Sequence, residues 1–337
     1  MKKNLSIIIA MVLSLGILSA CGAKEETPGT GSSDEVIELK MSTTTADTST
    51  WAMGARKFAE IVKEKTDGKI NITVYPNEQL GGGNQGKGLE MLMSGSADFT
   101  YHSNIIYSIM DEKFGVISLP WLIPDTETAD RVLGGAGGEA INKLLEEKGI
   151  KGLGFGENGM RQLTNSKRAI TTPEDMKGLK VRIPGIKMYV SLYKALGADP
   201  IAMNFGEVFT ALQQNTIDGQ ENPTDVISSS KINEVQEYMT EWNYSYDAII
   251  LGMNKKLFDG FDAETQQIFI DAGKEANEYQ RELNRETSKT QTQAFIDGGM
   301  KVNTLTPDQI AVFRAAVEPV YTEYEPIIGK DLINAFK

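Results

Sequence analysis

The chain has 337 residues, with 34 basic and 46 acidic side chains and a formal net charge of −12. That length suits one large domain or two medium ones with real cores, and so acidic a body argues against nucleic acid as a partner while leaving an anionic small ligand open. A single cysteine, Cys21, rules out an intrachain disulfide, and a single histidine, His102, cannot make a clustered His/Cys metal site, so neither metal nor cofactor is expected.

The basic Met1-Lys-Lys-Asn4 precedes an apolar run from Ile7 to Leu18, too short to span a bilayer. Residues 1–20 therefore read as a secretory signal peptide. Leu18-Ser-Ala-Cys21 resembles a bacterial lipobox, which implies cleavage before Cys21 and lipidation of its thiol; a plain signal peptide with an incidental cysteine is the alternative. Residues 21–34, rich in Glu, Thr, Gly, Pro and Ser, form a flexible tether.

Val36–Met41 reads as a first strand, and the hydroxyl-rich Ser42–Thr50 suits a helix N-cap and a polar ligand equally. Trp51, Ala55, Phe58, Ala59 and Val62 recur at helical spacing, and Ile70, Ile72 and Val74 alternate in a second strand closed by Pro76. Gly81-Gly-Gly83 matches neither phosphate-binding glycine pattern and reads as a loop before a helix over Leu89–Met93. Ala97–Tyr101 is a third strand with His102, Ser103 and Asn104 at its carboxyl end. Leu119–Pro124 is apolar but broken by prolines, a packed turn. Thr126–Lys148 and the apolar strand Ile150–Phe155 complete a first region, and a second opens near Asn158.

In the second region Thr172-Pro-Glu-Asp175 starts a short helix. Leu179, Val181 and Ile183 alternate in a strand that Pro184 ends. Ile186–Leu196 is helical with Gly197 as its stop, and Asn204 with Glu207 resembles a capping box ahead of the helix carrying Val208 and Leu212. This alternation of strands and helices predicts mainly parallel sheets. From Ala263 to about Ile296 the apolar positions repeat helically, giving one helix of about 30 residues and about 45 Å, or two with an unmarked break.

Arg182 thus sits at a strand's carboxyl end, where open α/β sheets bind ligands, and its planar fork matches a carboxylate. A surface ion pair explains it equally well from these residues alone. Gly178-Leu-Lys-Val-Arg-Ile-Pro184, read with Ala211-Leu-Gln-Gln214, Asp218-Gly-Gln-Glu-Asn-Pro223 and Asn158-Gly-Met-Arg-Gln-Leu-Thr-Asn165, resembles the solute-binding proteins of tripartite ATP-independent periplasmic (TRAP) transporters in order and spacing. The similarity runs from about Ile37 to the C-terminus. It implies an α/β, two-domain periplasmic-binding-protein-like fold with a hinge and a long domain-connecting helix. Domain I would comprise residues 35–158 plus 247–286, and domain II residues 159–246 plus 287–337.

The resemblance implies that Arg182 pairs with a substrate carboxylate, that Asn222 hydrogen-bonds the same group, and that Arg161 is a second carboxylate contact or else a structural salt bridge. Two cations around one anion would favour an acid over a neutral sugar. Phe205 matches the family's aromatic that packs on the ligand's carbon body, and it also lies where it would staple a helix start. Glu221 beside Asn222 would hold Arg182 or a ligand hydroxyl. His102 is expected as a ligand hydrogen-bond donor lining the cleft, with a buried structural histidine and a catalytic base as successive alternatives. Asn104 and Ser103 join it by position, and Ser42 offers a further neutral donor. Asn243 lies at the crossover, where the family often turns a polar residue to the cleft.

Sialic-acid binders of the family carry an acidic residue and an arginine in the segment equivalent to Asp98–Tyr107, and aspartates where this chain has Gly81-Gly-Gly83. Sialic acid is therefore disfavoured. A hydroxylated sugar acid, a uronate or aldonate, is favoured, with a C4-dicarboxylate as competitor through Arg161. The expectation is a monomeric, lipid-anchored, extracytoplasmic binding protein (periplasmic or on the outer face of the membrane) that delivers an organic acid to TRAP permease subunits, and not an enzyme. A secreted enzyme acting on carboxylated sugars would need a nucleophile or acid/base pair that the spacing does not supply. An adhesin would need a broad exposed apolar patch.

Overall fold

Every second residue of a strand faces the same way, and the sequence uses that period to build two sheets. The computed structural model describes residues 36–337; Cys21, the signal peptide and the tether lie outside the described residues. The strands are β1 (Ile37–Thr43), β2 (Ile70–Tyr75), β3 (Phe99–Ser103), β4 (Ile150–Met160), β5 (Gln162–Asn165), β6 (Lys180–Ile183), β7 (Asp199–Ala202), β8 (Gly219–Asn222), β9 (Tyr238–Glu241), β10 (Tyr246–Asn254) and β11 (Lys301–Thr304). The first sheet has the order β2-β1-β3-β10-β4 and the second β11-β9-β5-β8-β6-β7.

The sheets are mixed, which corrects the expectation of mainly parallel pairing. β1 pairs parallel with β2 and β3, and β6 with β7 and β8. β4 against β10 and β5 against β9 are antiparallel. The reason lies in the route of the chain. It leaves the first sheet along β4, enters the second as β5, and returns along β9 into β10, so the outward and homeward segments must run in opposite senses. They form one ribbon through both sheets. At the crossing, Arg161 N donates to Ser245 O at 3.0 Å, while the Gln162 side chain donates to Asn243 Oδ1 and accepts from Trp242 N. Trp242 and Tyr244 are buried there with ring centroids 4.4 Å apart.

Helix Ala263–Asp297 is unbroken over 35 residues, about 52 Å, and is capped by the Asp262 side chain. It packs on β4 and on helix Thr50–Lys65 at one end and near helix Thr224–Ser229 and β11 further along. Its buried face is polar as well as apolar. Gln280 exchanges two hydrogen bonds with the backbone of Glu157, accepting from its N at 2.7 Å and donating to its O at 2.8 Å. Gly273 lets the helix approach Leu153 O, which an added Cβ would meet at 2.4 Å. The capping box expected at Asn204 is not formed. Its side chain donates to Glu207 Oε1, and only a short 3₁₀ turn, Phe205–Glu207, precedes helix Val208–Gln213.

The two sheets also meet away from the ribbon. Phe205 and Val226, from the second-sheet side, pack on the core beneath β1 and β3. Beside them the buried Asp225 carboxylate accepts from Thr50 N (3.3 Å) and Thr50 Oγ1 (3.1 Å), capping the opposing helix from across the gap. Burial pushes the Asp225 carboxyl up to about 6, although the Thr50 hydrogen bonds oppose the shift. A carboxyl raised in the folded state binds more protons there than in the unfolded chain, so its contribution falls as pH rises from about 4 to 6. Asp225→Asn is accordingly expected to raise stability at pH 7 by about 1–3 kcal/mol and to change it little near pH 4. Melting curves at both pH values check this, and a lower melting temperature at pH 7 counts against it.

Candidate functional site

Pro184 ends β6 just after Arg182, and the ridge of β6 turns that side chain into the gap between the sheets. Arg182 is only 2% exposed. Its Nε and Nη2 both donate to Met203 O, at 3.0 and 2.7 Å, and the Phe205 ring lies 5.7 Å from its Cζ. Among the described residues no carboxylate reaches it at ion-pair distance. Burial, with Arg161 nearby, therefore pulls its guanidinium down to about 10. Nη1 makes no hydrogen bond to the described residues.

Arg161, at the crossing, is the opposite case. Its Nε meets Glu221 Oε2 and its Nη1 meets Asp247 Oδ2. Nη2 donates to Glu221 O and Oε1, both at 2.8 Å, and to Asn222 Oδ1 at 3.0 Å. Burial alone would lower it, but Glu221 and Asp247 outweigh that and hold it well above its ordinary value. Four of its five N–H groups are committed, so at most one is left for a ligand. Glu221 is completed by Tyr244 Oη at 2.6 Å, and Asp247 by Ser103 Oγ at 2.5 Å and Asn158 Nδ2 at 2.7 Å. Asn158 is the extra residue of a β-bulge, since Asp247 pairs with Gly159 and Ala248 with Glu157. The bulge aims its amide into the site, where Oδ1 also accepts from Trp51 Nε1.

These groups enclose a cavity of about 30 Å³, room for two or so waters, lined by Arg161, Arg182, Asn222, Phe205, Asn158 and Asp247 among others. A second cavity of about 200 Å³ adjoins it, sharing Thr44 and Phe205 and reaching Glu78.

Of the residues singled out from sequence, Arg182, Asn222, Arg161 and Phe205 come together on the first cavity. Glu221, His102, Ser42, Asn104 and Asn243 do not line it, and each has a physical reason. Glu221 is fully buried holding Arg161, not Arg182. His102 is fully buried with Nε2 2.9 Å from Glu78 Oε2, off the hydrogen-bond line, and with Nδ1 unpartnered. It occupies the structural position, not the cleft wall. Ser42 donates to the same Glu78 carboxylate. Asn104 is spent inside the core, donating to Ser118 Oγ and accepting from Ala248 N. Asn243 is exposed in a left-handed conformation, pinned by Gln162. Ser103, the weaker candidate, does reach the cavity. Trp51, Thr44, Thr45 and Glu78 were not picked out. The two threonines belong to the hydroxyl-rich run already noted, whereas nothing local marks Glu78.

A gap between two sheets, crossed by a ribbon and a long helix and holding a buried guanidinium with a free edge, defines a two-lobed solute-binding protein of the periplasmic type. The family model described as "Bacterial extracellular solute-binding protein, family 7" (DctP) matches residues 41–326. The chain belongs to that family, whose members serve TRAP transporters. It is 34% identical over 272 residues to the 2,3-diketo-L-gulonate-binding periplasmic protein YiaO of Escherichia coli, covering 79% of this chain and 80% of that one. It is 33% identical over 305 residues to the C4-dicarboxylate-binding periplasmic protein DctP of Rhodobacter capsulatus, 90% of this chain and 91% of the other. Its fold is similar to that of the sugar acid binding protein DctPAm of Advenella mimigardefordensis, solved with galactonate, with a TM-score of 0.86, 31% identity, and coverage of 90% and 97%.

Proposed function

We propose that this protein captures an organic acid between two domains, residues 35–158 plus 247–286 and 159–246 plus 287–337, and delivers it to TRAP permease subunits in the membrane. The single observation that carries the reading is Arg182, a buried guanidinium with no carboxylate partner and one edge on a cavity. A ligand carboxylate supplies the missing charge in a water-poor gap, where charge-assisted hydrogen bonds are strong. Asn222 and the remaining Arg161 N–H stand beside it. The relatives described above bind sugar acids or C4-dicarboxylates, and a uronate or aldonate is the favoured class here. The cavity offers binding and no catalytic set: the carboxylate that lines it, Asp247, and the adjacent Glu221 are both committed to Arg161. Isothermal titration against sugar acids and dicarboxylates tests capture, and heat from none of them would refute it.

The protein acts as a monomer outside the cytoplasm, tethered through Cys21. Cys21→Ala is expected to release it from the membrane into the soluble extracytoplasmic fraction with its ligand affinity unchanged. Membrane retention of that variant would refute the anchor alone.

A further inference from the structure

The second cavity, which shares Thr44 and Phe205 with the first, is built around a further buried carboxylate, Glu78. Asn77 and Glu78 both adopt left-handed backbone, φ 54° and 52°, an uncommon conformation for residues other than glycine. That turn drives the Glu78 side chain inward, against Gly88, where an added Cβ would meet Oε1 at 2.0 Å. Glu78 is 1% exposed. Its carboxylate accepts from Ser42 Oγ at 2.8 Å and Thr44 Oγ1 at 3.3 Å, with His102 Nε2 at 2.9 Å. Burial would raise the Glu78 carboxyl, but His102, Ser42 and Thr44 together hold it below its ordinary value.

This arrangement fixes what the wall can offer. Thr44 lines both cavities, and its hydroxyl proton is directed to Glu78. Only lone pairs remain for a ligand, so Thr44 accepts from a ligand hydroxyl and has nothing to donate to a carboxylate, which is acceptor-only. The charges agree. Arg161 is already paired with Glu221 and Asp247, Glu78 stands against His102, and Arg182 is the one unpaired cation among the described residues that line the first cavity. A first carboxylate has a partner there and a second has none.

We infer that Glu78, acting through Thr44, sets the specificity of the gap: it admits a hydroxylated monocarboxylate of the aldonate or uronate class and rejects a C4-dicarboxylate. Thr44 is the group that touches the ligand, and Glu78 is a positioning residue. The inference rests on the carboxylate-capture reading of Arg182.

The test is calorimetric titration of the mature protein with D-galactonate, D-galacturonate and succinate, for the wild type and for Glu78→Gln, Thr44→Val, Thr44→Ser and Arg182→Ala. The wild type is expected to favour a sugar acid over succinate by about 100-fold or more. Thr44→Val is expected to cut that ratio by about tenfold or more, and Thr44→Ser to keep it. Glu78→Gln is expected to cut it similarly while leaving succinate binding equal or tighter. A merely structural role for Glu78 would weaken all ligands alike and leave the ratio unmoved. Succinate binding in the wild type as tightly as the sugar acids overturns the inference, as does an unchanged ratio in Thr44→Val, or the absence of binding by any of the three. If Arg182→Ala abolishes binding while the ratio ignores Thr44 and Glu78, this inference alone fails; if Arg182→Ala binds normally, carboxylate capture itself fails.

Discussion

Arg182→Ala is expected to weaken binding of an organic acid by about two to three decades in Kd, while leaving the ligand-free protein close to its original stability. The binding loss follows from removing one partner of a desolvated charge pair, which typically costs about 2–5 kcal/mol. The small stability effect follows from the same geometry. Without a ligand the guanidinium is buried opposite no carboxylate, and burial has already pulled it down to about 10. Its charge is a burden on the folded state below that pH, relieved only as pH rises through the folded value. Truncation removes the burden together with two hydrogen bonds to Met203 O, and the two effects oppose each other. Arg182→Lys keeps a charge but not the fork and should fall between. Lys180, exposed two residues earlier on the same strand, provides the control, with Lys180→Ala expected to stay within about twofold. Titration calorimetry and melting curves on the four proteins decide it; equal losses for Arg182→Ala and Lys180→Ala would refute the assignment.

Much of the scaffold could be read from local pattern. The helix from Thr50 carries its apolar residues at 3.6-residue spacing, β2 stops at Pro76, and the 35-residue helix has no breaker after Gly273. Arg182 was legible too, because a strand ended by proline fixes where its last arginine lies. What failed was whatever depends on distant partners. The strand senses around the hinge follow from the chain crossing twice, which no window of residues records. Arg161 and Arg182 carry the same charge and share a cavity, yet one is ion-paired with Glu221 and Asp247, 60 and 86 residues away, and the other meets no carboxylate among the described residues. His102 sits at the carboxyl end of β3, the right place for a ligand donor, but faces Glu78, whose inward turn depends on two successive left-handed residues. Asn104 and Ser42 were misplaced for the same reason. Position on an element predicts the direction of a side chain only when no buried partner claims it first.

Arg161→Ala is expected to act on stability first, lowering it by about 3–5 kcal/mol, which for a chain of this size is a drop in melting temperature of about 5–8 °C. The cause is what remains behind. Glu221 and Asp247 are both fully buried, and without the guanidinium each becomes an uncompensated charge beside the other. Burial already pushes the Asp247 carboxyl up even with Arg161 present. In the variant the Asp247 carboxyl would take up a proton in the folded state more readily than in the unfolded chain, so stability should recover as pH falls toward about 5, the opposite of ordinary acid destabilisation. The same reasoning predicts that neutralising the partners rescues the protein. Arg161→Met combined with Glu221→Gln and Asp247→Asn removes all three charges, and a neutral, volume-matched replacement of a buried ionic cluster is often harmless or stabilising. Melting curves of the single and triple variants at pH 5 and pH 7 separate the outcomes. If Arg161→Ala melts within about 2 °C of the parent at pH 7, the guanidinium is not compensating these carboxylates. Arg161 would then be, with Arg182, a second cation free for a ligand's second carboxylate.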